Sequence, residues 1–184
     1  FTFRPQLVAA PGGLAMKLGL FTVLFQDLTF EMMLDRVVSE GIESLEIGSG
    51  GYPGKAHCDP RALLDNPSRL ANWQNALQAR HLELCALSCH GNPLHPDKKI
   101  AKAFHDDFVD TVLLAERVGV ERVILFSGCP GDGDNARYPN WVVAPWPSEY
   151  RELLNWQWEE KVIPYWREQA KFAREHGVRK LCFE

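Results

Sequence analysis

Five side chains in this sequence could do chemistry, and four of them stand at or near the end of an apolar run. Glu184 follows Leu181-Cys182-Phe183, and Glu46 sits within Leu45-Glu46-Ile47-Gly48. His90 and His95 bracket an Asn92-Pro93 turn after the run Leu82 to Leu87. A carboxylate at a strand end can bind a divalent metal and can move a proton beside a carbonyl. A histidine there can ligate a metal or hydrogen-bond a hydroxyl or carbonyl. Trp141, on a long loop with Trp146, offers an apolar face on which a sugar can stack. Each has a plainer reading: a terminal or exposed glutamate, a histidine that only braces the fold, a tryptophan that fills a core.

Other groupings are weaker. His57-Cys58-Asp59 looks like a metal triplet, but adjacent residues diverge in direction, so a loop ending in a helix-capping Asp is favoured. Ser127-Gly128-Cys129-Pro130-Gly131-Asp132-Gly133-Asp134 lacks the Gly-Lys-Ser/Thr ending of a phosphate loop, and its aspartates would repel an anion. It also lacks the offsets of a calcium loop. Cys129 has no base within its motif to activate it. Trp156, Trp158 and Trp166 keep helical spacing and read as packing residues.

Strand patterns position these groups. Lys17 to Leu24, Ser44 to Gly48, Glu83 to Cys89, Arg122 to Ser127 and Val178 to Glu184 are apolar and β-rich. Between them lie helical patterns. The first is capped by Thr29 and stopped by Gly41. The second, Arg61 to Arg80, is broken at Asn66-Pro67. The third runs from Asp97 to Val118, with Ile100, Phe104, Phe108, Val112 and Ala115 on one stripe. The last runs from Ser148 to His176 and should kink at Pro164. Gly128 to about Pro147 is a long loop whose Trp and Tyr residues argue for order.

Strand-helix alternation implies a parallel sheet with right-handed crossovers. It fits a doubly wound open sheet or part of a (β/α)8 barrel. Parity favours the barrel. Leu45 and Ile47 oppose Ser44, Glu46 and Gly48; Leu87 and Cys89 oppose Ser88 and His90; Leu181 and Phe183 oppose Cys182 and Glu184. A sheet covered on both faces should be apolar throughout, whereas a polar face ending in Glu, His and Glu suits a barrel interior with its site at the strand ends. A full barrel takes about 250 residues, so 184 residues make about five strands and four helices, an N-terminal portion.

Composition adds boundaries. The chain is 46% hydrophobic and 24% charged with net charge −4, so it suits one domain and carries no basic footprint for nucleic acid. Five cysteines without a Cys-x-x-Cys read as reduced thiols. No apolar run approaches the roughly 20 residues of a membrane span. Residues 1–15 lack a signal-peptide core and read as an N-terminal tail ahead of Met16, the expected natural start; residues 16–184 make the barrel portion. A cytoplasmic location is expected.

Several stretches resemble bacterial sugar phosphate isomerases/epimerases of the xylose isomerase-like TIM-barrel superfamily. They are Met16-Lys17-Leu18-Gly19-Leu20-Phe21-Thr22, Leu45-Glu46-Ile47-Gly48, Gly51-Tyr52-Pro53-Gly54-Lys55, Ser88 to Pro96 and Phe126 to Gly131. Tyr138-Pro139-Asn140-Trp141 and Trp156 to Trp166 fit as well. The resemblance implies a divalent metal (Mn, Mg, Co or Zn) and proton transfer beside a carbonyl through an enediolate. It matches Glu184 alone to a metal ligand and to one of two acid/base glutamates, the second glutamate and the other ligands being expected beyond residue 184. Glu46, His90, His95 and Trp141 become substrate-side groups, and the substrate a small sugar or sugar phosphate.

Three other readings compete: an endonuclease IV-like phosphodiesterase, a dehydratase of a polyol or keto sugar, and a non-catalytic fragment. Ser127-Gly128-Cys129 stands where the endonuclease-like enzymes would place a histidine, which disfavours their trinuclear site. A partial barrel leaves strands one and five with open edges, which predicts homo-oligomers or poor solubility.

Overall fold

Five strands form one sheet in the order β1-β2-β3-β4-β5, each neighbouring pair parallel. They are β1 (Gly19–Phe21), β2 (Ser44–Gly51), β3 (Glu83–His90), β4 (Arg122–Leu125) and β5 (Lys180–Phe183). This computed structural model describes residues 16–184; the expected N-terminal tail lies outside the described residues. A doubly wound sheet reverses its strand order at a switch point. Here the order follows the chain without reversal, as in a barrel wall, so the fold is a partial TIM barrel.

Each crossover is helical. Thr29 caps α1 (Phe30–Ser39) by accepting from the Met32 N–H. Asp59 and Asn66 cap α2 (Pro60–Leu64) and α3 (Pro67–Ala79), each with a proline in its first turn, so the expected break at Asn66-Pro67 is present. Asp97 accepts from the Lys99 and Ile100 N–H groups to start α4 (Lys98–Val118). The last crossover is α5 (Glu149–Trp156), a π-helical segment Gln157–Val162, and α6 (Ile163–Glu175). A kink at Pro164 was the expectation; the helix instead widens just before it. Pro164 has no N–H to bond the Glu160 carbonyl, and a π turn absorbs that loss across several residues.

Three strands end two or more residues away from the sequence reading. β1 stops at Phe21 because Thr22–Phe25 closes into a 3₁₀ turn. β4 ends at Leu125, two residues short of Ser127. β2 extends to Gly51 because Gly50 and Gly51 still pair with Cys89 and His90. Two register shifts, between Leu45 and Glu46 and between Gly48 and Gly50, mark bulges in the β2–β3 ladder.

The core lies between the sheet's outer face and the helices. Leu45, Ile47, Leu87 and Val123 are fully buried with Met33 and Val37 of α1 and Val112 of α4. Only part of the expected α4 stripe joins it: Phe108, Val112 and Ala115 are buried, while Ile100 is 40% exposed. Among the described residues, no helix is long and apolar enough to cross a membrane.

Candidate active site

The inner face ends in a cavity at the strands' carboxyl ends, as expected for a barrel. Its volume is about 540 Å³, and its wall includes His90, Asn92, Phe104, Phe126, Trp141 and Glu184. Glu184 follows β5 directly, and its backbone N–H donates to the Leu125 carbonyl at 3.0 Å. That bond fixes the residue's backbone at the mouth, while its side chain stays 63% exposed.

His90 ends β3 and is buried. Its ring packs between Phe21, with centroids 6.0 Å apart, and Phe126, at 4.6 Å. Nε2 lies 3.2 Å from Glu184 Oε2. The two atoms are close enough to interact, but the approach is not aligned as a hydrogen bond. Neither ring nitrogen has a hydrogen-bond partner among the described residues. A buried polar group left without a partner costs about 1–3 kcal/mol, which singles out His90 among the residues of the cavity wall.

The backbone around His90 is held by two devices. Gly51 has φ +67, and a Cβ there would stand 2.3 Å from the His90 carbonyl oxygen, so the close crossing requires glycine. The same carbonyl accepts from the Tyr52 N–H at 2.8 Å. Asp107, reaching from α4, accepts from the Gly51 N–H at 3.2 Å and pairs with Lys55 at 2.6 Å. The second device is Asn92. Its Oδ1 accepts from the Cys129 N–H at 2.8 Å and the Leu94 N–H at 3.2 Å. Its Nδ2 donates to the Cys129 carbonyl at 3.0 Å, locking the loops after β3 and β4 together.

Trp141 lines the cavity and meets Trp158 edge-on with centroids 5.3 Å apart. The loop carrying it is anchored from below: Gln157 Nε2 donates to the Gly131 carbonyl at 2.8 Å, and Trp166 Nε1 to the Ser127 carbonyl at 2.7 Å. Trp146 is 80% exposed and off the cavity wall.

The other expected site residues are not brought to the cavity wall. Glu46 lies deeper on the inner face, half-buried, and accepts a hydrogen bond from the Ser88 hydroxyl. His95 has turned away: its Nδ1 accepts from the Asp97 N–H at 2.9 Å beside the start of α4. The triplet His57-Cys58-Asp59 diverges as expected, with His57 Nε2 at 3.0 Å from the Leu28 carbonyl, Cys58 in the core and Asp59 capping α2. Burial pushes the Cys129 thiol up, the Gly131 N–H pulling weakly the other way, so it stands protonated at neutral pH and is no ready nucleophile. Asn92, Phe104 and Phe126 were not anticipated as site residues. The Asn-Pro turn was the one signal for Asn92, and the two phenylalanines read as core.

A metal is a separate question. Among the described residues, no group of three or more His, Cys, Asp or Glu side chains converges to hold an ion. The mouth offers the Glu184 carboxylate and the His90 imidazole, which are donors of the right chemistry but too few for a closed site.

The profile of the xylose isomerase-like TIM barrel matches residues 34–184. This chain belongs to that family. It is 37% identical over 171 residues to the uncharacterized protein YfiH of Bacillus subtilis (strain 168), covering 92% of this chain and 54% of YfiH. Among solved structures, it resembles a D-psicose 3-epimerase from Clostridium cellulolyticum H10 crystallised with D-tagatose, at TM-score 0.55 and 18% identity. That match covers 91% of this chain and 52% of the epimerase. It also resembles the probable 3-DHS dehydratase AsbF of Bacillus anthracis, at TM-score 0.57 and 15% identity, with 91% and 52% covered. At such identities the structural matches show the fold alone. The xylose isomerase-like chain thus spans about half the length of the relatives it matches.

Proposed function

We propose that the protein carrying this chain is a cytoplasmic sugar or sugar-phosphate isomerase/epimerase that moves a proton beside a carbonyl through an enediolate. One observation supports this above the others. Glu184, the carboxylate at the end of β5, shares a cavity with His90, whose buried ring nitrogens have no hydrogen-bond partner among the described residues.

In this reading the chain's residues divide the work. Glu184 serves as one of two acid/base glutamates, the second being expected beyond residue 184: it exchanges the proton on its own face of the carbon next to the carbonyl, and in an epimerisation the second glutamate serves the opposite face. His90 hydrogen-bonds a substrate hydroxyl or carbonyl, fixing which hydrogen faces the carboxylate. Trp141 covers one side of the sugar and excludes water. Glu184 would also be one ligand of a divalent ion (Mn, Mg, Co or Zn), with the remaining ligands coming from the part of the barrel that the relatives contain and this chain does not span. When bound, such an ion supplies Lewis-acid stabilisation of the oxygen that gains charge.

The test is deuterium exchange. The protein from the complete reading frame is incubated in D2O with ketoses, their phosphates and Mn, Mg, Co or Zn salts, and the sugars are read by NMR. Deuterium on the carbon beside the carbonyl, abolished by Glu184→Gln, is the expected result. Loss of water from the sugar would move the assignment to a dehydratase, and absence of exchange with every sugar and metal would refute the reading.

A further inference from the structure

We propose that Gln157 is the positioning residue for Trp141, holding that ring on the cavity wall before any ligand arrives. This role rests on the proposed function in one respect, that Trp141 is a wall of the substrate site. Three observations carry it.

The first is the amide itself. Gln157 is fully buried, and both ends of its amide are bonded. Nε2 donates to the Gly131 carbonyl at 2.8 Å and to the Asn140 carbonyl at 3.3 Å, and Oε1 accepts from the Val142 N–H at 3.2 Å. A reversed amide would set its oxygen against two carbonyl oxygens, so the partners fix its orientation. Asn140 and Val142 are the chain neighbours of Trp141. One side chain therefore grips the backbone just before and just after the ring.

The second is the helix that carries it. Val162, Trp166, Gln169 and Ala173 are buried at α-helical spacing and form one stripe. Continued backwards at that spacing, the stripe would reach Trp158 or Glu159. The π-helical segment instead makes the step from Val162 back to the next buried residue, Gln157, five residues long. The widened turn sets the Gln157 amide under the loop. It leaves Trp158 40% exposed and edge-on to Trp141.

The third is the loop. Between β4 and α5 the chain runs as one long loop, and a loop without a ladder needs outside partners for its backbone groups. Gln157 supplies three of them, two at the stem of Trp141. A methionine of similar size would fill the same space and supply none. A buried amide is costly unless its bonds are made, so the loop, rather than the filling of the core, accounts for this glutamine.

The experiment labels the protein from the complete reading frame with 5-fluorotryptophan and reads its fluorine NMR spectrum without ligand. The Trp141 and Trp73 signals are assigned by their loss in Trp141→Phe and Trp73→Phe. Gln157→Met should move or split the Trp141 signal, while the Trp73 signal from α3 keeps its place and reports an intact fold. In sugar turnover the same variant should raise KM about five- to tenfold, the scale of one lost aromatic contact, with kcat within about twofold. An unmoved Trp141 signal, or an unchanged KM in an active protein, would overturn the inference. In a Trp141→Ala background, Gln157→Met should add nothing to KM; a further rise would show general loosening and refute the positioning role. Gln157→Glu decides the matter if the methionine variant fails to fold. As a neutral acid it still donates to one carbonyl and accepts from Val142, and as a carboxylate it donates to neither carbonyl. Burial and the two carbonyl oxygens favour its neutral form. Its Trp141 signal and its KM should therefore shift as pH rises, a step absent from wild type, and parallel pH profiles would overturn the inference. A Trp141 signal displaced by Gln157→Met in a protein that turns over no sugar upholds the positioning role and refutes the isomerase/epimerase reading alone.

Discussion

Gly51 and Gly54 share the same backbone angle, φ +67, and differ in what a side chain would meet. At Gly54 an added Cβ finds nothing within 4 Å. At Gly51 it would lie 2.3 Å from the His90 carbonyl oxygen, 2.4 Å from its carbon and 2.7 Å from the Gly91 nitrogen, all backbone atoms that cannot swing aside. Left-handed backbone costs an L-residue about 1–2 kcal/mol. Replacing glycine also restricts the unfolded chain, which returns about 0.4–1 kcal/mol. Gly54→Ala should therefore cost about 1 kcal/mol or less. Gly51→Ala adds an overpacking cost of about 1–3 kcal/mol. It also strains the Tyr52-to-His90 backbone bond of 2.8 Å, worth about 0.5–1.5 kcal/mol. The two variants should differ by roughly 2–3 kcal/mol, which at a urea slope of about 2 kcal/mol/M separates their midpoints by about 1 M or more. Urea unfolding followed by tryptophan fluorescence measures this directly. Equal midpoints for the two variants would mean that β2 and β3 do not cross as closely as described, and the account of how His90 is held would fall with it.

Four further outcomes follow from particular contacts. Asn92→Ala removes three bonds to the loops after β3 and β4 and leaves part-buried backbone N–H groups unpaired. It should lower stability by about 1–3 kcal/mol and expose the 128–147 loop to trypsin; an unchanged midpoint would contradict the clamp. Burial pushes the Cys89 thiol up to about 12, the Thr111 hydroxyl pulling the other way, so iodoacetamide at pH 8 should leave it unlabelled in the folded protein and label it in urea. Backbone N–H groups of Lys99, then Ile100, hold the Asp97 carboxyl below its usual 3.8. Because the folded value is depressed, its stabilisation of α4 is present above that pH and lost as pH falls through the folded value. The gap in urea midpoint between wild type and Asp97→Ala should therefore close on acidification, and a constant gap would refute the cap. Finally, β1 and β5 each pair on one side among the described residues, so the 184-residue chain alone should self-associate. A monodisperse monomer by light scattering that melts cooperatively would count against open edges.

The alternation along each strand made the inner face legible. Leu45 and Ile47 against Glu46, and Leu87 and Cys89 against Ser88 and His90, named the buried and polar faces because period 2 ties side-chain direction to sequence position. The same rule carried Glu184 to the mouth. It failed wherever the chain left the pleat. His95 stands five residues past the end of β3, in a turn where spacing says nothing about direction, and its ring serves the backbone of Asp97 instead. Ser49, at a register shift, is buried on α4, its hydroxyl 3.0 Å from that of Thr111. The glycines after it read as a loop, although in fact they allow β2 to run on beside His90. Glu46 had the right parity but the wrong depth, since register sets a residue's layer and no single strand reveals its register. Phe104 and Phe126 were hidden for a chemical reason: a phenylalanine on a helix's apolar stripe or in a strand's apolar run looks the same whether it faces a core or a ligand.

That last ambiguity bears on how the site is built. The groups around His90 are fixed by backbone: glycine at a forbidding crossing, a carbonyl that accepts from Tyr52, rings on two sides. Glu184 is fixed at its N–H, and its carboxylate is largely exposed and not aligned with the imidazole 3.2 Å away. A braced hydrogen-bonding partner beside an exposed carboxylate suits a division of labour between orienting the sugar and transferring its proton. The imidazole holds the sugar still while the carboxylate exchanges a proton on its own face. If that division is correct, His90→Asn should raise KM more than it lowers kcat, whereas Glu184→Gln should abolish turnover with sugar binding kept. Equal effects of both substitutions on kcat would show that the imidazole takes part in the proton transfer itself.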